Sequence, residues 1–133
     1  MNHYKINLLL AAMFLFTACE KKVLQPEGYL KGKINIGPIC PVERNPPDSA
    51  CLPTAETFKA YPVGIWSSNG KIKITQLNPS LNGMYLTNLS PGSYLVIIGA
   101  GLATSNLGAL PYKINIHSID TTTLDINIDT GIR

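Results

Sequence analysis

From Gly28 onward apolar and polar residues alternate with a period of two, the spacing of strands that turn one face to a core and the other to water. In Leu30-Lys31-Gly32-Lys33-Ile34-Asn35-Ile36 the apolar set Leu30, Ile34 and Ile36 faces one way, and Lys31, Lys33 and Asn35 face the other. The same spacing predicts six further strands: around Tyr61, Val63 and Ile65; Ile72 and Ile74; Met84 and Leu86; Tyr94, Val96 and Ile98; Tyr112, Ile114 and Ile116; and Leu124, Ile126 and Ile128. No segment carries a convincing helical period. Between the strands, Ser68-Asn69-Gly70 and Asn82-Gly83 supply residues that tolerate positive φ, and Ser90-Pro91-Gly92 sets a tight corner.

Seven short strands with Gly and Pro between them predict an all-β fold, an antiparallel sandwich rather than a parallel sheet. Tyr94 to Ile98 is apolar on both faces, which places that strand centrally. Pro62 has no N–H to give a ladder, so its strand is expected at an edge or bulged there. Trp66, the sole tryptophan, is expected to cap the end of the core. Gly99 to Leu110 reads as a long loop of small residues.

The chain opens differently. Lys5 precedes an apolar run from Ile6 to Ala18, and Leu15-Phe16-Thr17-Ala18-Cys19 closes it with small residues before a cysteine. That is the layout of a secretory signal peptide, and the run is too short for a membrane span, which needs roughly 20 apolar residues. It resembles a bacterial lipoprotein signal, in which the cysteine receives a lipid and becomes the new N-terminus. The expected organisation is a signal peptide over 1–18, a lipid-anchored tether over 19–27 and a β-sandwich domain over 28–133. Acyl chains on Cys19 contribute about 0.8 kcal/mol per buried CH2, enough for permanent attachment. Glu20, where an inner-membrane retention signal would have aspartate, favours the outer membrane of the cell envelope.

Three cysteines would leave an odd thiol in an exported protein, but lipidation of Cys19 leaves Cys40 and Cys51 as a pair. A disulfide between them suits an oxidising compartment and is worth on the order of 3 kcal/mol. The segment it closes is the candidate binding loop: its prolines limit freedom, and Glu43, Arg44, Asn45 and Asp48 offer polar contacts at a low ordering cost. The alternative is that the disulfide only staples a crossover.

Charge narrows the partners. Of eleven Lys and Arg, Lys5 leaves with the leader, so ten stand against eight acids. The lysines are scattered, which gives nucleic acid no electrostatic footprint. The expected partners are the membrane, through the lipid on Cys19, and an envelope protein or glycan. No catalytic residue, metal or cofactor is expected. Leu95 to Gly101 runs into Gly-x-Gly, yet Thr104 replaces the third glycine of a dinucleotide fingerprint and Ala103 to Leu110 is too short for the crossover helix. His117, in phase with Lys113 and Asn115, belongs to a wet face, and no Gly-x-Ser-x-Gly turn supports a nucleophile. Asp120, Asp125 and Asp129 lack the spacing of a calcium loop. The chain is therefore expected to be a non-enzymatic envelope module, with a ligand-binding or protease-inhibiting role for the pinned loop as the second reading.

Gly28-Tyr29-Leu30-Lys31-Gly32-Lys33-Ile34, then Gly37-Pro38-Ile39-Cys40-Pro41-Val42 and Cys51, resemble the opening of exported bacterial carboxypeptidase-regulatory-like domains. Gly83-Met84-Tyr85, Leu89, Pro91-Gly92 and Tyr94 match the Gly-x-aromatic, Leu and Pro-Gly-x-Tyr spacing of that group, and Ile128 to Arg133 looks like its close. Ala55 to Pro62 departs from the pattern, which favours a cleaner strand there. The resemblance implies a prealbumin-like, seven-stranded Greek-key sandwich and a folding, stabilising or surface role without catalytic residues.

Overall fold

The computed structural model describes residues 24–42, 45–99 and 111–132. Two sheets face each other across one core. The first is built on β1 (Gly28–Gly37), flanked on one side by β4 (Met84–Leu89) and on the other by β7 (Thr121–Thr123) and β8 (Ile126–Asp129). The second has the order β3 (Lys73–Gln76), β2 (Val63–Ser67), β5 (Gly92–Ile98), β6 (Tyr112–Ile116). All pairings are antiparallel except those of β1 with β7 and β8, which are parallel. The fold is the expected Greek-key sandwich, with its seventh strand interrupted: Tyr29 pairs with Thr121 and Ile34 with Ile126, so β7 and β8 share one register on either side of Leu124 and Asp125.

The core is made by the inward phase of each strand. Leu30, Ile34 and Ile36 of β1, Val63 and Ile65 of β2, Val96 and Ile98 of β5, Ile114 and Ile116 of β6, and Ile126 and Ile128 of β8 are all buried, as their alternation predicts. β5 lies between β2 and β6, and Ile97 on its other face is buried too.

Four expectations are corrected. β4 takes the opposite phase: Tyr85 and Leu89 are buried, while Met84 and Leu86 are exposed. β3 is an edge strand, and Ile74 is the extra residue of a bulge, because Ile65 pairs with Thr75 and Trp66 with Lys73. Ile72 and Ile74 are thus exposed, and Leu77 fills the core in their place. Pro62 stands before β2, an interior strand, and its carbonyl accepts from Gly99 N–H at 2.7 Å. Trp66 does not cap the core end: its indole lies back over Gly64, where an added Cβ would come 2.7 Å from Nε1, and that nitrogen finds no hydrogen-bond partner among the described residues.

The interruption of the seventh strand has a local cause. Continued ladder geometry would give the Leu124 carbonyl to the Lys33 N–H. Instead that carbonyl accepts the Tyr85 hydroxyl at 2.6 Å, and Lys33 N–H donates to Asp125 Oδ1 at 2.8 Å. Tyr85 pairs with Gly32, and a Cβ on Gly32 would sit 1.8 Å from the Leu124 oxygen. Only glycine leaves room for the phenol to reach across β1. Burial, with Asp125 adding to it, raises the Tyr85 pKa well above the ordinary tyrosine value.

At the start of β1 the chain is clamped before the strand begins. Ser118 Oγ donates to the Pro26 carbonyl, Ile119 N–H to the Glu27 carbonyl, and Asn88 Nδ2 to Glu27 Oε2. The turn that makes this clamp holds Ile119 at φ 62° with its side chain 76% exposed. A β-branched residue there is strained and gains no burial in return.

Two predictions follow from this geometry. Tyr85→Phe should lower the free energy of unfolding by about 1–2 kcal/mol. A raised phenol pKa contributes stability that is complete below the unfolded value of about 10 and lost as pH rises towards the folded one, so Tyr85→Phe should also flatten the loss of stability on the alkaline side of pH 10. Denaturant titrations of both proteins at neutral and alkaline pH measure each effect. Ile119→Asn, which relieves the left-handed backbone, should raise stability by about 1 kcal/mol in the same assay.

Candidate functional site

Past β1 the chain makes an irregular excursion before β2, and its ends are tied down. The Cys40 and Cys51 sulfurs are bonded, with Cα atoms 5.4 Å apart. Asp48 accepts from Ala50 N–H at 3.0 Å and caps a single 3-10 turn, Ser49–Cys51. On the near side, Thr130 Oγ1 donates to the Pro38 carbonyl and Thr130 N–H to the Gly37 carbonyl, binding the base of the excursion to the end of β8.

A short helix follows, α1 (Ala55–Ala60), where no helical period was expected. It is nucleated from its start: Thr57 N–H donates to Thr54 Oγ1 at 3.3 Å and Thr54 N–H to Thr57 Oγ1 at 3.0 Å, a reciprocal cap. Pro53 precedes the cap. With fewer than two turns it presents one apolar side chain, Phe58, which packs on the core together with Tyr61. The Lys59–Glu56 ion pair at 2.7 Å is largely solvent-exposed on both sides and adds little.

The helix does not close the sandwich. Between α1 and the far end of β1 lies a groove of about 590 Å3, floored by Ile34 and Ile36 and walled by Leu52, Pro53, Phe58 and Leu81. A second hollow of about 330 Å3, lined by Leu77 among others, shares Phe58 and Leu81 with it, so these two side chains lie between the hollows. Leu81 is 72% exposed at its rim. Lys33 is the one charged residue lining the larger hollow.

The groove exists because β4 stops early. β1 has ten residues, yet β4 pairs only with Gly28 to Lys33. Gly83, at φ 82°, gives its carbonyl to Ile34 N–H but turns its own N–H to the Ser80 carbonyl, ending the ladder. Met84 is then held by the same turn, donating from N–H to Asn82 Oδ1 and accepting from Ser80. Alternation aims the Ile36 N–H and C=O away from β8, and neither finds a partner among the described residues.

Of the residues proposed for the binding loop, Asn45 and Asp48 are exposed, and one Asp48 oxygen is engaged in capping. Glu43 and Arg44 lie outside the described residues, as do Cys19 and the leader. Leu52, Pro53, Phe58 and Leu81, which the structure brings together, were not anticipated. The Pro53-Thr54-x-x-Thr57 start signal was the readable trace of the helix that carries Phe58. His117 is exposed beyond β6, Asp125 is exposed in the interruption between β7 and β8, and Asp129 is exposed at the end of β8. β5 and β6 are antiparallel neighbours, so no parallel crossover joins them, and the loop expected from Gly99 to Leu110 lies, beyond Gly99, outside the described residues. Among the described residues no three metal-ligating side chains converge, and no helix is long and apolar enough to cross a membrane.

No protein-family model matches the chain, and no curated protein does. Solved structures do. GBS52, the minor pilin of Streptococcus agalactiae, is 15% identical with a TM-score of 0.52, over 81% of this chain and 46% of the pilin. The Bacillus anthracis TIE protein is 16% identical with a TM-score of 0.48, over 78% of this chain and 16% of its own. A DUF3823 family protein from Parabacteroides merdae is 15% identical with a TM-score of 0.44, over 78% of this chain and 46% of that one. The chain thus spans under half the length of each. At these identities the pilin likeness shows the fold alone.

Replacing both Cys40 and Cys51 by serine should cost on the order of 3 kcal/mol by loop entropy. Thermal unfolding of the double variant beside the parent checks this.

Proposed function

We propose that the chain is a lipid-anchored, non-enzymatic module of the cell envelope whose sandwich presents a binding groove away from its anchor. The observation that carries this is the polarity of β1. The strand starts at Gly28, just past the clamped Pro26 and Glu27, and ends ten residues later at the groove. Ten extended residues span about 30 Å. A tether on Cys19 therefore holds one end of the domain near the lipid and leaves the groove at the other.

The cysteines support export. Cys40 and Cys51 are bonded to each other, which leaves Cys19 as the residue available for acylation. A sandwich shared with a minor pilin, and the resemblance to carboxypeptidase-regulatory-like domains, fit a structural or binding role. The alternative role for the pinned loop is absorbed here: Leu52 and Pro53, immediately after Cys51, form a wall of the groove. Glu20, next after Cys19 where an inner-membrane retention signal would have aspartate, supports placement in the outer membrane.

Fractionation of cells expressing the parent chain and Cys19→Ala tests the anchor. The parent should partition with membranes and into detergent, and Cys19→Ala should move to the soluble fraction. Equal membrane retention of the two proteins would overturn the reading. Protease treatment of intact and lysed cells then assigns the domain to the outer surface or to the periplasm.

A further inference from the structure

We propose that the groove takes an extended polypeptide segment of a partner protein, which adds to the free side of β1 where β4 leaves it. The site deepens the binding role proposed above and rests on the groove being a binding surface, but not on the lipid anchor.

The ladder between β1 and β4 ends at Lys33 and Met84, and the Ile34 N–H to Gly83 carbonyl bond is its last contact. Two residues on, Ile36 is 6% exposed, and its N–H and C=O on that side have no partner among the described residues. Buried main-chain groups without partners are rare because each costs about 1–3 kcal/mol of desolvation. In antiparallel register, one incoming residue opposite Ile36 closes both bonds at once. Neither a lipid headgroup nor a sugar hydroxyl matches that donor–acceptor spacing, whereas a peptide backbone does.

The surroundings specify the side chains. Opposite Ile36 an incoming residue points inward, between Phe58, Leu52 and Leu81, so it must be apolar. The next residue of the segment lies opposite Asn35 and points outward, on the face of Lys33. Lys33 is the one charged residue of that lining, and among the described residues it takes part in no ion pair. An acidic residue there is the complement. The segment is thus an extended strand with an apolar residue followed directly by Asp or Glu. One ring of main-chain bonds is a short ladder, so the apolar side chain supplies most of the affinity.

The test is selection of a random heptapeptide phage library on the full exported chain carrying Cys19→Ala, which is soluble whether or not the native cysteine is acylated. The expected result is enrichment of sequences with an apolar residue followed by Asp or Glu. Synthetic peptides of the selected sequences should slow amide exchange at Ile36 at least about tenfold, and N-methylation of the apolar residue should weaken binding about tenfold. Leu81→Lys and Leu52→Lys, both at exposed positions, should weaken binding about tenfold while leaving the thermal unfolding profile intact. The proposal is overturned if no sequence is enriched over the Leu81→Lys protein, or if bound peptides leave Ile36 exchange unchanged. It is also overturned if the chain alone protects Ile36 by forming dimers in sedimentation, which would make the occupant a second copy.

Discussion

The sandwich turns on a hydroxyl group passing over a glycine. Tyr85 of β4 reaches across Gly32 of β1 to the carbonyl of Leu124, so a single side chain ties three adjacent strands of the first sheet together from inside the core. The cost of a buried phenol is met by that bond, and the cost of the diverted carbonyl is met by Asp125, which accepts the Lys33 N–H left behind. Three residues from distant parts of the chain must therefore agree. A side chain at residue 32 would block the phenol, and without the phenol the turned carbonyl would be buried unpaired.

The same sheet shows how an irregularity becomes a surface. β1 is longer than its partner β4, and Gly83 ends the shared ladder by folding its N–H into the Ser80–Gly83 turn. The exposed stretch of β1 is not left bare. The disulfide-pinned excursion brings Leu52 and Pro53 beside it, and the Thr54 cap sets Phe58 above it. Each of these devices is local, and together they produce an apolar groove at one end of the sandwich.

What was legible in the sequence was whatever alternation alone determines. β1, β2, β5, β6 and β8 each have one apolar phase inward, β5 being apolar on its other face as well, and alternation identifies all their buried inward residues. β4 was not, because Met-Tyr-Leu-Thr-Asn-Leu is apolar in both phases and the choice between them is made by Gly32 on another strand. β3 failed for a related reason: a bulge opposite β2 displaces Ile74, and Leu77 beyond the strand takes the core position. The helix is too short to show a period, leaving only its cap as a trace. The groove was illegible because its walls come from four separated segments, and no periodicity links Leu52, Phe58, Leu81 and Ile36.

The parallel seating of β8 beside β1 joins the first and last of the described strands. Four side-chain hydrogen bonds, including Asn35 to Asn127 and Ser118 to Pro26, each span 92 residues. A polypeptide is made from its N-terminus, so the strand at the middle of the first sheet emerges first and waits for the last strand to emerge before its second edge is covered. Until then its donors and acceptors remain solvated and the two sheets have little reason to close. This topology leaves one edge of the middle strand open until a segment 92 residues further on has been made, so the unfinished domain must be kept from pairing that edge with other chains.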